Sequence, residues 1–212
     1  MSQAAIDRAG ADACGRCGAP RDGMPYCVAC DALQPLARDA DHFQVLGLPR
    51  GLAVDGAELE RRYHEASRRV HPDRHQTAGP AAQALSIEAS AAVNRAYRTL
   101  RDPVGRGRYW LELHGEALGQ DNNRVPPELA ALVFDVQERV AELRHGGDPD
   151  AARVARNDVA GRLATLSAAL DALYAGASDA SSPATLAELK RLLSDIAYLR
   201  TLARDVHAAL AG

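Results

Sequence analysis

The feature that most constrains this chain is a proline set between two helical stripes, within Arg68-Arg69-Val70-His71-Pro72-Asp73-Arg74. Proline has no backbone N–H and disfavours helix at the residue before it, so a helix rising through Glu58 has to stop at Val70. Asp55 can cap that helix with Glu58 at its third position, and Leu59, Tyr63, Ala66 and Val70 recur on one face. Arg61, Glu65 and Arg68 fall opposite, flanked by Arg62 and Arg69, which predicts positive charge in solvent beside the bend. Beyond the breaker-rich residues 76–80, Leu85, Ala89, Val93, Ala96, Tyr97 and Leu100 make a second, longer stripe. Two antiparallel helices with His71-Pro72-Asp73 at their tip follow.

Cores elsewhere must be built from Leu, Val and Ala, because aromatics are only 4% of a chain that is 47% apolar; packed helices use such residues better than sheets do. The expected fold class is all-α. A net charge of −3 over 212 residues gives no global basic field to draw the chain to nucleic acid or an anionic membrane. Nothing approaches the ~18 consecutive apolar residues of a membrane span. Residues 1–10 lack the charged-then-apolar pattern of a secretory signal, and Asp7 and Asp12 suit a transit peptide poorly. A bacterial cytoplasmic protein is the expectation.

All four cysteines lie near the start, as Cys14-Gly15-Arg16-Cys17 and Cys27-Val28-Ala29-Cys30. Two C-x-x-C knuckles a short hairpin apart can bring four thiolates to tetrahedral reach, and Gly15, Gly18, Pro20 and Gly23 permit the tight turns. A structural zinc ion is the expectation, with no organic cofactor. A disulfide pair suits a cytoplasmic chain poorly, and a redox dithiol would need only one knuckle. An iron-sulfur cluster would accept the same four thiolates.

The last third is punctuated into three helices. One begins at Pro127 and ends at Gly146, a second runs from Asp148-Pro149 to Gly176, and a third runs from Ser182-Pro183 to the C-terminus. Leu129, Leu132, Val133, Val136, Val140 and Leu143 line the first, and Leu163, Leu166, Leu170 and Leu173 the second. Leu186, Leu189, Leu193, Ile196, Leu199 and Val206 line the third, so a three-helix bundle would bury them all. No internal repeat is evident. The expected organisation is a metal-binding module and linker over 1–38, a helical-hairpin domain over 39–117 and the bundle over 125–212, with a polar connection between the last two.

Three ordered motifs resemble the J-domain family, the co-chaperones that stimulate ATP hydrolysis by DnaK-type chaperones: Asp41-His42-Phe43-Gln44-Val45-Leu46-Gly47-Leu48, His71-Pro72-Asp73, and Val93-Asn94-Arg95-Ala96-Tyr97-Arg98-Thr99-Leu100-Arg101-Asp102-Pro103. The resemblance implies that His71, Pro72, Asp73, Arg61, Arg68 and Arg69 contact the chaperone's ATPase domain. A helical bundle follows in place of the Gly-rich or β-rich regions of most J-proteins. That order, with Arg106-Gly107-Arg108-Tyr109-Trp110-Leu111-Glu112-Leu113-His114-Gly115, is similar to the HscB family, which delivers the iron-sulfur scaffold protein IscU to a chaperone such as HscA. The cysteine stretch resembles the metal-binding extension of the animal mitochondrial members. The alternative is a general J-domain co-chaperone for another client, with the zinc module as a separate protein- or nucleic-acid-binding element.

Phe134 and Tyr198 fall outside the stripes of their helices and should face solvent. The HscB resemblance implies that they bind the scaffold, with Ala130, Ala131, Asp135, Glu138 and Leu202. Ala130 and Ala131 stand where family members usually carry larger apolar side chains, and Ala197 where a basic residue often precedes the aromatic, which implies a weaker interface. His42, His64, His75, His114, His145 and His207 are scattered, none within helical reach of a cysteine or a paired carboxylate, so they read as solvated surface and the chain as no enzyme. Nucleic acid is an unsuitable partner, since Arg16 and Arg21 are the only cations within the cysteine knuckles.

Overall fold

Helix takes hold wherever the sequence supplies a cap, and the computed structural model shows each in use over the residues it describes, 13–37, 39–118 and 125–211. Residues 1–12, on which the expectation about targeting rests, Arg38 of the linker and the 119–124 connection lie outside the described residues. Asp41 and Gln44 close a reciprocal capping box on α1 (His42–Val45), at 2.8 and 3.0 Å. The Asp55 carboxylate accepts from the Glu58 N–H at 2.8 Å to start α2 (Gly56–Val70). After a 3₁₀ turn at Pro72–His75 comes α3 (Pro80–Arg101), and Asp102 with Pro103 opens α4 (Pro103–Leu113). A 3₁₀ turn at Pro127–Leu129 precedes α5 (Ala130–Arg144); α6 (Pro149–Gly176) and α7 (Pro183–Ala211) complete the chain. The described residues contain no strand, only two isolated bridges in the cysteine region. None of the helices is long and apolar enough to cross a membrane.

The chain divides into two compact units between Arg106 and Gly107, inside α4. In the first unit, Phe43, Leu46, Leu52, Leu59, Ala66, Val70, Val93, Ala96 and Leu100 are fully buried among α1, α2 and α3. Burying each large apolar side chain is worth about 1.5–3 kcal/mol, which fixes the hairpin that carries the His-Pro-Asp turn. Tyr63 and Tyr97 stack at 4.1 Å between the two helices, and the Tyr63 hydroxyl donates to Asn94 at 2.9 Å.

The first unit also includes the cysteine module. Met24 and Tyr26 of the module are buried, and Met24 seats its sulfur against Gly47, where a β-carbon would stand only 2.9 Å away.

In the second unit, the bundle buries Leu129, Val133, Val136 and Val140 of the first stripe, with Leu132 and Leu143 at its half-buried edges. In α6 the buried line is Ala152, Ala155, Val159, Leu166, Leu170 and Tyr174, so small residues extend the leucine stripe towards the N-terminus. Seven apolar residues of α7 are buried, among them Leu192 and Leu202. Asp195 is buried beside them; burial raises its pKa, and Arg191 pairs with it at 3.0 Å. The α4 helix lies so close that a β-carbon at Gly107 would stand 3.0 Å from Leu189 and nearer still to the Tyr174 hydroxyl.

Candidate functional site

Stopping α2 at Pro72 leaves carbonyls without helical partners, and the structure satisfies each. Arg74 donates to the Arg68 carbonyl at 3.4 Å and the His75 ring meets that of Arg69 at 3.0 Å. The buried Ser86 hydroxyl donates to the Val70 carbonyl at 2.6 Å, and Ser90 adds a second bond at 3.1 Å. The turn is therefore fastened from beneath by α3. His75, read from sequence as solvated surface, is part of this fastening.

Above that base the side chains are free to meet a partner. His71 is 55% exposed and Asp73 74%. The His71 ring accepts the Asp73 N–H at 3.3 Å, and its Nδ1 lies 3.6 Å from the Asp73 carboxylate. Gln76 donates to the same carboxylate at 3.1 Å, so the imidazole and carboxylate are presented together.

The basic face differs from the expectation of free positive charge. Arg61 is bound by Glu58 at 2.7 Å and Glu65 at 3.4 Å, and Arg62 by Glu58 at 2.8 Å. Arg61 and then Arg62 hold the Glu58 carboxyl down to about 2. Arg69 is turned towards the cysteine module. Its guanidinium lies 4.7 Å from the Tyr26 ring centre and meets Asp31 at 3.4 Å and Glu65 at 2.9 Å. Among the chaperone-docking arginines inferred by resemblance, Arg68 alone is exposed with no ion pair among the described residues.

In the cysteine module, all four sulfurs lie within 4.8 Å of one another. Cys14 and Cys30 are 3.7 Å apart, and Cys17 and Cys27 3.6 Å. These separations are too long for a disulfide and match the edge of about 3.8 Å set by four sulfurs at ~2.3 Å from one metal ion. The knuckles repeat each other. In one, Cys14 N bonds Ala19 O and Gly18 N bonds Cys14 O; in the other, Cys27 N bonds Ala32 O and Asp31 N bonds Cys27 O.

The two turns correspond residue for residue, Cys17-Gly18-Ala19 with Cys30-Asp31-Ala32. Gly18 and Asp31 occupy the same left-handed conformation, at φ +73° and +57°. That conformation costs an L-residue roughly 1–2 kcal/mol, less for Asp, whose short polar side chain bonds locally.

The cluster is built to hold a cation. Backbone N–H groups of Arg16 and then Cys17 bring the Cys14 thiol down to about 6. The buried Gln34 amide also donates to this sulfur, at 3.3 Å. Cys30 is favoured as thiolate by the Ala32 N–H, yet desolvation and its sulfur neighbours push it up to about 12. Four adjacent thiolates require a positive ion among them, and these residues fit one.

On the bundle, Phe134 is 72% exposed, with Ala130, Ala131 and Glu138 also in solvent. Asp135 is half-buried and ion-paired with Arg139 at 3.0 Å, and Tyr198 is half-buried on α7, which packs against α5. Leu202 corrects the sequence expectation. It is only 5% exposed, a core residue, because a one-turn step from Tyr198 carries it round to the buried face of α7.

The DnaJ domain family matches residues 41–109. A Ralstonia nicotianae protein described as a co-chaperone HscB homolog is 35% identical over 52% of this chain and 63% of its own length, so the chain spans a little under two thirds of that relative. A Burkholderia multivorans protein of the same description is 33% identical over 73% of this chain and 91% of its own. The crystal structure of human co-chaperone protein HscB superposes with a TM-score of 0.71 at 26% identity, covering 92% of this chain and 97% of that one.

Proposed function

Because this chain belongs to the HscB family of J-domain co-chaperones, we propose that it stimulates the ATPase of a DnaK/HscA-type chaperone and delivers an IscU-type scaffold to it during iron-sulfur protein maturation. The observation that carries this reading is the exposed His71-Asp73 pair on a turn fastened by Ser86 and Ser90. An imidazole and a carboxylate held together in solvent suit a protein partner's surface better than a small substrate. The chain thus acts on another protein's ATP hydrolysis, in the cytoplasm, and carries out none itself.

Zinc is the metal we assign to Cys14, Cys17, Cys27 and Cys30. All four positions of a tetrahedral site are taken by sulfur, the arrangement of a structural ion with no open position for catalysis. The first test is ATP turnover by a DnaK-type chaperone with this chain and scaffold added separately and together. Stimulation enhanced by scaffold is expected; stimulation indifferent to scaffold would favour a general co-chaperone.

Scaffold docking is assigned to Phe134 and Tyr198, with Ala130, Ala131, Asp135 and Glu138 around them. Truncating Phe134 to alanine should cost ~1–3 kcal/mol of scaffold affinity, the range of an interface anchor. At 72% exposure it should change folding stability by only about 0.5 kcal/mol. Leu202→Ala should do the reverse, losing ~2–5 kcal/mol of stability as a core truncation. Calorimetric titrations beside thermal melts separate the two, and full scaffold affinity in a Phe134→Ala, Tyr198→Ala double variant would remove the site from this face.

A further inference from the structure

We infer that the cysteine module is a clasp on Arg69: while folded around its metal it withdraws this guanidinium from the chaperone-docking side of α2, and when it opens it returns it. The inference rests on the docking role proposed above for α2, but the clasp itself is a contact within this chain.

Three groups converge on Arg69, and two come from the module. The Tyr26 ring, 5% exposed, lies under the guanidinium at 4.7 Å, and the Asp31 carboxylate meets it at 3.4 Å. Glu65, one turn back on α2, supplies the third contact at 2.9 Å and is shared with Arg61. The Arg69 side chain is left 25% exposed. Its sequence neighbour Arg68 is exposed, and the hydrogen bond there uses only its backbone carbonyl.

The backbone of the second knuckle points to the same conclusion. Its turn requires a left-handed residue, and the matching position of the first knuckle is filled by Gly18, which adopts that conformation without steric cost. The second knuckle carries Asp31, which is strained there relative to glycine. This carboxylate is not one of the ligands the cluster offers, which are the four sulfurs. What Asp31 adds is a negative charge facing Arg69. Strain retained at one of two equivalent positions marks the one with a second task.

The consequence for docking is a matter of charge. Arg61 and Arg62 are neutralised by Glu58 and Glu65, and with the clasp closed Arg69 is neutralised as well. The end of α2 then offers Arg68, with Arg74 in the turn, to an acidic partner surface. Opening the module leaves Arg69 only its share of Glu65 and adds a cation two residues from His71. Tyr26 and Asp31 are thus positioning residues that act through Arg69.

The test has two arms. In the metal-loaded chain, an arginine-selective dicarbonyl reagent with peptide mapping should label Arg69 more slowly than Arg68. Chelation, or Asp31→Asn combined with Tyr26→Leu, should bring the two rates together. In the ATPase assay the same double variant should reach half-maximal stimulation at about two- to fivefold lower concentration, the worth of one exposed charge, with a steeper dependence on salt.

Adding Arg69→Ala should abolish that gain, whereas Tyr26→Phe, which keeps the ring, should behave as the unaltered chain. Should Tyr26→Leu not fold, Asp31→Asn alone, at an exposed position that asparagine tolerates in this conformation, should give part of each effect. Equal labelling of Arg68 and Arg69 in the loaded chain would overturn the clasp, as would a gain in docking that survives Arg69→Ala. Failure of the unaltered chain to stimulate any DnaK-type chaperone would overturn the proposed function and the docking consequence with it, while the labelling arm still reads the clasp directly.

Discussion

His71→Gln is expected to abolish stimulation of the partner's ATPase while leaving the hairpin folded. The two outcomes separate because the turn has an inner and an outer side. Its inner side is made of backbone carbonyls held by Arg74, His75, Ser86 and Ser90, none of which the substitution touches. Its outer side is the His71 ring, 55% exposed, whose contacts are the Asp73 N–H at 3.3 Å and carboxylate at 3.6 Å. Losing them should change stability by about 0.5 kcal/mol or less, the usual range for a surface substitution. If stimulation depends on imidazole meeting the chaperone, turnover should fall to the chaperone's unstimulated rate at every co-chaperone concentration. Far-UV melts that overlay those of the unaltered chain, beside a flat ATPase titration, are the expected pair of results. A retained ATPase response would take the docking role away from this turn.

Metal removal is expected to have the other large effect. Residues 13–37 have no strands or helices of their own, and their buried side chains are few: Cys14, Met24, Pro25, Tyr26, Cys27 and, among polar groups, Gln34. A segment this small is held by its ion, and apparent binding free energies of about 10–16 kcal/mol are typical of structural zinc. Chelation should therefore unfold the module outright. It should also be felt in the hairpin, because Met24 packs on Gly47 and Tyr26 on Arg69. Each kcal/mol of docking lost should lower the hairpin's melting midpoint by about 4–8 °C.

The pH dependence of loading follows from the cluster's opposed thiols. Cys30, pushed up to about 12, keeps its proton at neutral pH until a cation replaces it, so binding releases protons and affinity should rise with pH. Titrations in buffers of different ionisation enthalpy measure that release. Metal analysis giving close to one zinc per chain is expected, and a visible iron chromophore in its place would overturn the zinc assignment. An unchanged hairpin midpoint after chelation would mean that the module's packing on Gly47 and Arg69 contributes nothing to stability.

Much of this architecture was legible because helices advertise themselves through periodicity and punctuation. Asp55, Asp102-Pro103, Asp148-Pro149 and Ser182-Pro183 mark starts that the structure uses, and Leu59, Ala66 and Val70 are buried as their spacing requires. The cysteine cluster was legible from spacing alone. What escaped was pairing at a distance. Ser86 interrupts an apolar stripe as a small polar residue, and only the fold shows that Val70, far back in the sequence, supplies the carbonyl it satisfies. Arg69 reads as a surface cation until Tyr26 and Asp31 arrive from another segment. Leu202 was misplaced by extending the outward side of α7 one turn past Tyr198, on a helix whose buried face is wide enough to take in Leu192, Leu199 and Leu202 together.

Trp110 is the chain's single tryptophan, buried in α4 on the bundle side of the division, with its indole donating to the Ala180 carbonyl at 2.7 Å. Excitation at the red edge of protein absorbance therefore selects an emission that belongs to one half of the molecule. Unfolding of the bundle should shift that emission to longer wavelength, whereas opening of the cysteine module should leave it dark to change, its only chromophore being Tyr26. The His114 ring stands 4.6 Å from the indole and is anchored to the Trp110 carbonyl at 2.7 Å. A ring held this near makes the emission sensitive to any rearrangement at this end of α4, giving the bundle an optical report that the hairpin does not share.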